Sequence, residues 1–298
     1  MTKPCPACGS EAPADFATTD RNRRLGDPDL AFTYHRCRAC GLIFLGNIPE
    51  LGAYYPPSYY NVPSGLADLE ALAATDEYKI EIVRQYVRSG RLVEIGPAYG
   101  AFALLAKRAG YDVSCIEYDQ ACVSFLNDVV GVEAIQSDDA AAALRTRTER
   151  FDVICLWQNL EHLPNCRTVI EEAAKKLVPG GVLIVATPNP DALQFRIFRG
   201  NWTHVDAPRH VALIPMPLLR AWGMASGLSP ALFTTTDRGS RGWNRFGWER
   251  TLANFASARA LSLLLRLCGL VLTILAVPLE WTGARGACYT AVLRKDGR

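Results

Sequence analysis

From residue 91 onward, short apolar runs rich in β-branched residues alternate with stretches of helical periodicity. That alternation restricts the chain to a parallel sheet covered by helices. It predicts strands near 91–96, 111–117, 132–136, 151–157, 181–187, 230–236 and 287–294, with helices near 99–109, 119–130, 166–177 and 216–226. Such a set builds a doubly wound, mostly parallel α/β domain, and ligands in these sheets bind outside the carboxyl ends of the strands. A chain of 298 residues has room for this domain plus attachments. With 49% hydrophobic and 21% charged residues it is neither a disordered tail nor a polycation that coats nucleic acid.

The first strand end reads RLVEIGPAYGAF (91–102). A dinucleotide fingerprint needs glycine at 96, 98 and 101, but the chain has Gly96, Ala98 and Ala101. A pyrophosphate would meet side chains where backbone should approach, so nicotinamide binding is disfavoured. What fits is Glu94, Gly96 and Gly100 in E-x-G-x-x-x-G, followed by Glu117 at the end of the second strand. An acid about twenty residues beyond the glycine turn can take both hydroxyls of a ribose, and a bare turn suits a ligand lacking phosphates. A tight turn beside a solvated acid is the plain alternative.

Ten cysteines are the other unusual entry in the composition. Cys5, Cys8, Cys37 and Cys40 form C-x2-C-x28-C-x2-C, with Gly9 and Gly41 after the second cysteine of each pair. Two tight turns presenting two sulfurs each supply the tetrahedron that structural zinc requires, and a site closed by four protein ligands does no Lewis-acid chemistry. The six other cysteines lie scattered in apolar stretches and read as small core residues. The opening MTKPCPACGS has no apolar signal region, so a cytoplasmic, reducing setting is expected. The following GAYYPPSYYNVPSG (52–65) reads as an irregular connector that lays aromatic rings over a neighbouring pocket or merely caps the core.

FDVICLWQNLEHLPN (151–165) and KLVPGGVLIVATPNP (176–190) resemble the fourth and fifth strand motifs of class I S-adenosylmethionine-dependent methyltransferases. The Glu161–His162 pair and Pro179-Gly180-Gly181 place the likeness in the group that includes ubiquinone-pathway methyltransferases, over roughly residues 80–236 and 286–295. The resemblance implies a seven-stranded Rossmann-like sheet. It implies that Gly96, Pro97 and Gly100 hold the methionine part of the cofactor, Glu117 the ribose and Asp138 the adenine, with Glu94, Tyr118 and Gln158 as further cofactor-binding candidates. Trp157, Gln158 and Asn159 would face the transferable methyl, while Ala98 departs from the glycine common in that group. The small zinc-ribbon module ahead of this domain is similar to the arrangement in bacterial sugar and polysaccharide-pathway methyltransferases, where it contributes to acceptor binding.

Methyl transfer leaves the protein to align the acceptor and remove a proton, which suits a base titrating near neutrality. His35 neighbours the cysteine knuckle and is a spare metal ligand at most. His162 follows strand four, as catalyst or loop pin, and His210 in NWTHVDAPRHV (201–211) is the other candidate for base or acceptor ligand, with a loop histidine bonded to backbone as its plain alternative.

Charge is uneven. Residues 1–60 carry 6 basic and 6 acidic side chains, 61–237 carry 16 and 21, and 238–298 carry 10 and 3. Three regions follow: module and connector (1–60), methyltransferase domain (61–237 plus 286–298) and a basic, apolar helical insertion (238–285). Within the insertion, ALSLLLRLCGLVLTILAVPL (260–279) is long enough to span a bilayer, yet Arg259, Ser262, Arg266 and Thr273 form a narrow polar stripe. A spanning helix would strand the last β-segment on the wrong side, so peripheral contact with the inner face of a membrane is expected. A homodimer interface, or a helix over the pocket, is the alternative. The expected partner is a small sugar-like or lipid-linked acceptor. The rivals are a zinc-ribbon RNA methyltransferase, for which the neutral ribbon and acidic body are a poor phosphate footprint, and a non-catalytic scaffold.

Overall fold

The computed structural model describes residues 2–297 other than 26, 28, 57 and 58. Pro57 and Ser58 of the aromatic connector and Arg298 of the last segment therefore lie outside the described residues.

The N-terminal part contributes β1 (Thr2–Pro4), β2 (Glu11–Thr18), β3 (Phe32–Arg36) and β4 (Ile43–Leu45). Helices α1 (Leu66–Ala73) and α2 (Glu77–Arg84) lead into the central domain. There the order is β5 (Arg91–Ile95), α3 (Ala101–Arg108), β6 (Asp112–Glu117), α4 (Gln120–Phe125), β7 (Glu133–Gln136) and α5 (Ala140–Thr146). It continues with β8 (Phe151–Trp157), α6 (Cys166–Lys176), β9 (Leu177–Pro188), α7 (Leu193–Phe198), β10 (Ala212–Leu213), α8 (Met216–Ala225) and β11 (Leu228–Thr234). The insertion forms α9 (Arg238–Ala253), α10 (Arg259–Leu275) and α11 (Val277–Trp281), and β12 (Cys288–Lys295) closes the fold.

Seven strands form one sheet in the order β11-β12-β9-β8-β5-β6-β7. β5 runs parallel to β6 and β8, β6 to β7 and β8 to β9, whereas β12 is antiparallel to both β9 and β11. This is the expected doubly wound, mostly parallel sheet. Strand order reverses at β5, whose neighbours are β6 and β8, and a crevice opens at that switch point. Both faces of β8 and β9 are covered by helices, which is why Ile154, Cys155 and Leu156 are buried in succession.

Local chemistry accounts for details that periodicity alone did not give. Helix α5 was not expected, although Asp139 marks its start by accepting from the Ala141 and Ala142 N–H groups ahead of an alanine run. The helix expected over 119–130 is α-helical only to Phe125 and continues as a π-turn over Leu126–Val130, ending at Gly131 with φ +69°.

The first four strands form a second sheet, β1-β2-β3-β4-β10, whose last member comes from beyond the central sheet's β9. Ala212 and Leu213 pair with Phe44 and Ile43, so the N-terminal module is sewn to the central domain. A buried ion cluster reinforces the seam. Arg209, fully inaccessible, donates to both carboxylate oxygens of Asp20 at 2.6 and 3.1 Å and to both of Asp206 at 2.9 Å.

The insertion is a helical hairpin. α10 stops at Leu275, ahead of Pro278, because proline cannot continue the backbone ladder. At the crossing of α9 and α10, a Cβ on Gly269 would come within 2.7 Å of the Glu249 Cα, so only glycine permits the approach. α11 is tied down by fully buried Glu280, which accepts from Trp248 Nε1 at 2.8 Å, Gln194 Nε2 at 3.2 Å and the Asn244 amide. Among the described residues no helix is long and apolar enough to cross a membrane.

Candidate active site

The crevice at the switch point is a cleft of about 870 Å³. Its floor is the β5–α3 turn. Gly96 and Gly100 take φ of +70° and +86°, and Ala98 between them takes +51°. Ala98 thus adopts the left-handed geometry that glycine supplies elsewhere, at a steric cost of roughly 1–2 kcal/mol. A Cβ at Gly96 would overlap the Asn159 amide and one at Gly100 would overlap Leu126, so neither glycine can be replaced without moving the turn.

Glu117 at the end of β6 is buried, and its carboxylate is held by three backbone donors: Ala98 N at 2.9 Å, Tyr118 N at 2.8 Å and Asp119 N at 2.9 Å. It therefore braces the glycine turn while lining the cleft. Each carboxylate oxygen has two lone pairs, so acceptor capacity toward a ligand remains. Pro97, Tyr118, Asp138 and Gln158 share the same cleft wall. Asp138 stays exposed because its neighbour Asp139 is the one that caps α5. Gln158 sits at φ +53°, a strained position at the β8 terminus.

Three buried polar atoms in this cleft have no partner: Glu94 Oε2, Trp157 Nε1 and Asn159 Oδ1. Burial pushes Glu94 up to about 8, against the pull of Lys79. Two acceptors and a donor, unpaired around a turn with no room for side chains, fit a ligand that brings both an ammonium and a carboxylate. S-adenosylmethionine has these at its amino-acid end.

The N-terminal part lines the cleft as well. Tyr55, Tyr59 and Tyr60 line the cleft, with Arg23 stacked 4.6 Å from the Tyr59 ring centre. Tyr55, Tyr59 and Tyr60 form the aromatic cover, whereas Tyr54 is buried in one part of the core and Val62 packs against another. Lys79, Asp76 and Trp243 also line the cleft, none of them anticipated, because they enter from α2, its preceding turn and α9. Nothing in local sequence ties those segments to the β5 turn.

The histidines divide between the cleft and the seam behind it. His162 faces the cleft, its Nδ1 3.0 Å from the Arg209 carbonyl oxygen and 2.9 Å from the Tyr55 hydroxyl. His210 stands behind it, outside the cleft lining, with ring centres 4.6 Å apart. Its Nδ1 bonds the His204 carbonyl at 2.8 Å, and burial lowers it to about 3. Of the two readings of His210, base or acceptor ligand and loop histidine bonded to backbone, the geometry matches the second, because the loop 201–211 folds into the seam around Arg209. Glu161 lies under both rings, with Oε2 bonded to Thr187 and Oε1 unpartnered 4.0 Å from His210 Nε2. Burial raises it to about 8.

At the far end of the module, Cys5, Cys8, Cys37 and Cys40 converge so that all four sulfurs lie within 4.8 Å of one another. The Cys5–Cys40 and Cys8–Cys37 sulfur separations are 3.6 and 3.5 Å. A tetrahedron of Zn–S bonds near 2.3 Å has edges of about 3.8 Å, so the donor set fits that ion. The two turns are duplicates: Gly9 N bonds Cys5 O and Gly41 N bonds Cys37 O, with φ of +74° and +81° at the glycines. His35 is not a spare ligand. It sits on β3 with Nδ1 3.0 Å from the Ala12 carbonyl and its ring on Phe44.

A family model described as a methyltransferase domain matches residues 76–273. The chain belongs to this methyltransferase family. Methyltransferase membership brings S-adenosylmethionine as cofactor class, in agreement with the polar atoms left unpaired in the cleft. The ubiquinone biosynthesis O-methyltransferase of Hydrogenovibrio crunogenus is 26% identical over 128 residues, 40% of this chain and 52% of that protein. The enzyme of the same name from Bartonella tribocorum is 24% identical over 181 residues, 58% of this chain and 61% of that protein. The chain thus spans little more than half the length of these curated relatives. Among solved structures, a SAM-dependent methyltransferase from Archaeoglobus fulgidus superposes with a TM-score of 0.52 at 16% identity, covering 76% of this chain and 94% of that one. That likeness shows the fold.

Proposed function

We propose that this methyltransferase-family chain moves a methyl group from S-adenosylmethionine to a hydroxyl of a small, sugar-like acceptor. The observation that carries this reading is a single cleft that brings together the glycine turn with its unpaired polar atoms and a set of tyrosines with His162. Glu94, Gly96, Pro97, Gly100 and Glu117 would hold the cofactor, with Tyr118, Asp138 and Gln158 along its length. When bound, it supplies a methyl activated by a cationic sulfonium, which leaves alignment and proton removal to the protein.

A carbonyl oxygen only accepts, so Nδ1 of neutral His162 carries the proton toward Arg209 and Nε2 keeps its lone pair. Burial lowers the His162 pKa, so the ring is neutral at pH 7 and competent to take a proton from the acceptor hydroxyl. His210 and Glu161 hold that ring from behind. Tyr59, Tyr60 and Trp157 offer flat apolar faces against which sugar C–H groups pack, and Arg23, Asp76 and Lys79 offer hydrogen bonds to hydroxyls. A carbon acid would use the same base. The four cysteines would hold zinc as a structural tie for the module, remote from the methyl transfer.

Glu117→Ala is expected to weaken S-adenosylmethionine binding by at least about tenfold in calorimetry, since charge-assisted hydrogen bonds contribute about 1.5–3 kcal/mol. Unchanged affinity removes the assignment. His162→Gln is expected to lower kcat about 10²- to 10⁴-fold while leaving cofactor affinity intact, read by mass spectrometry of the methylated acceptor. The acid limb of the wild-type kcat/KM profile should fall below pH 6.5, because the lowered pKa keeps the base neutral to lower pH.

A further inference from the structure

We propose that the outward face of α10 and α11 docks on an anionic lipid surface. Only the small members of the polar stripe, Ser262 and Thr273, turn toward the body; Arg259 and Arg266 stay exposed. Ser262 and Thr273 are half-buried and Gly269 is buried against α9, whereas Leu263, Leu264, Leu267, Val271, Ile274 and Leu275 are 54–69% exposed. At 100° per residue these six side chains occupy an arc of about 120° that contains no polar group. Leu279 and Trp281 of α11, 56% and 44% exposed, extend the same apolar surface. A contiguous, rimmed apolar surface of this kind marks an interaction site.

Charge decides the occupant. Residues 238–285 hold seven arginines and two glutamates. Both acids are spent internally: Glu249 pairs with Arg245 at 2.5 Å, and Glu280 is buried among Trp248, Gln194 and Asn244. Exposed Arg259 and Arg266 lie along one edge of the apolar arc, and Arg241 stacks 4.4 Å from the Trp281 ring centre. Leucines flanked by arginines and a tryptophan complement a negatively charged headgroup layer, whereas a second copy would set two net-positive faces against each other. α10 has 17 residues, about 26 Å long, and lies along the surface of the body, so it would sit in the plane of the interface. α9 joins this face to the cleft. Trp243 lines the cleft, and one turn later Trp248 and Glu249 seat Gly269 of α10.

The test is sedimentation of the full chain with vesicles of equimolar phosphatidylglycerol and phosphatidylcholine, read without methyl donor so that it stands apart from the activity. Binding is expected, with a blue shift of tryptophan emission, and weaker binding to phosphatidylcholine alone. Leu263→Glu with Leu267→Glu and Ile274→Glu should abolish it. Arg259→Gln and Arg266→Gln should each weaken it roughly fivefold with the fold unchanged by circular dichroism. Equal binding by either variant and the parent overturns the proposal. So does a stable dimer in sedimentation velocity that the leucine variant converts to monomer, because the face would then belong to a second copy.

Discussion

β9 and α10 are both apolar runs, and they meet opposite fates. In β9 every residue from Gly181 to Pro188 is buried, because the strand lies between β8 and β12 with helices on both faces. In α10 only Gly269 is buried, and the leucines point away from the body. Hydropathy records how much a segment gains by leaving water; the surface available to cover it determines whether it does. A strand in the middle of a sheet finds partners on all sides. α10 is held by one seam, where a glycine lets two helix backbones touch and Thr273 returns its hydroxyl to the Gly269 carbonyl at 2.9 Å.

The largest expected effect would sharpen this contrast directly. Leu183→Ala in β9 removes a fully buried side chain and should cost about 2–5 kcal/mol in urea unfolding, whereas Leu267→Gln in α10 should stay within about 0.5 kcal/mol. Comparable losses would mean that α10 is covered in solution. Gly269→Leu should cost about 1–3 kcal/mol or detach α10, because its side chain would have to enter the Glu249 backbone. A neutral result would show the hairpin seam to be loose.

The smallest effect concerns acid stability of the seam around Arg209. Burial lowers His204 to about 4 and His210 to about 3. Between those values and the ordinary 6.5 the unfolded chain binds more protons, so stability is expected to fall progressively as pH drops below 6.5. Glu161, raised to about 8, contributes in the opposite sense: its stabilisation is complete below the ordinary 4.5 and is lost as pH rises toward 8. His210→Gln should flatten the acid limb of a melting-temperature profile. An unchanged slope would place the buried titration elsewhere.

Legibility in the sequence followed locality. The strands and the glycine turn were readable because each rests on a short run of residues with a characteristic period or a required φ. The cysteine knuckles were readable for the same reason, two identical turns whose glycines take positive φ. Glu117 was recognisable by spacing, but its grip on the turn through three backbone donors was not, because those donors point at it only after folding. That His162 lines the cleft while His210 is packed behind it could not be read from the loop, because the seam forms around Arg209. An arginine in a loop reads as solvated until Asp20, 189 residues earlier, is found against it.

The sequence by itself determined the α/β architecture, the glycine turn at the first strand end and the four-thiol donor set, since side-chain period, steric demand and ligand geometry are local properties. Only the tertiary structure decided which histidine reaches the cleft, that tyrosines from the N-terminal module roof it, and which way α10 turns its leucines. Those depend on close approach between segments far apart in the chain, and on a single glycine whose missing Cβ let α10 pack by its small polar side and leave its apolar side facing out.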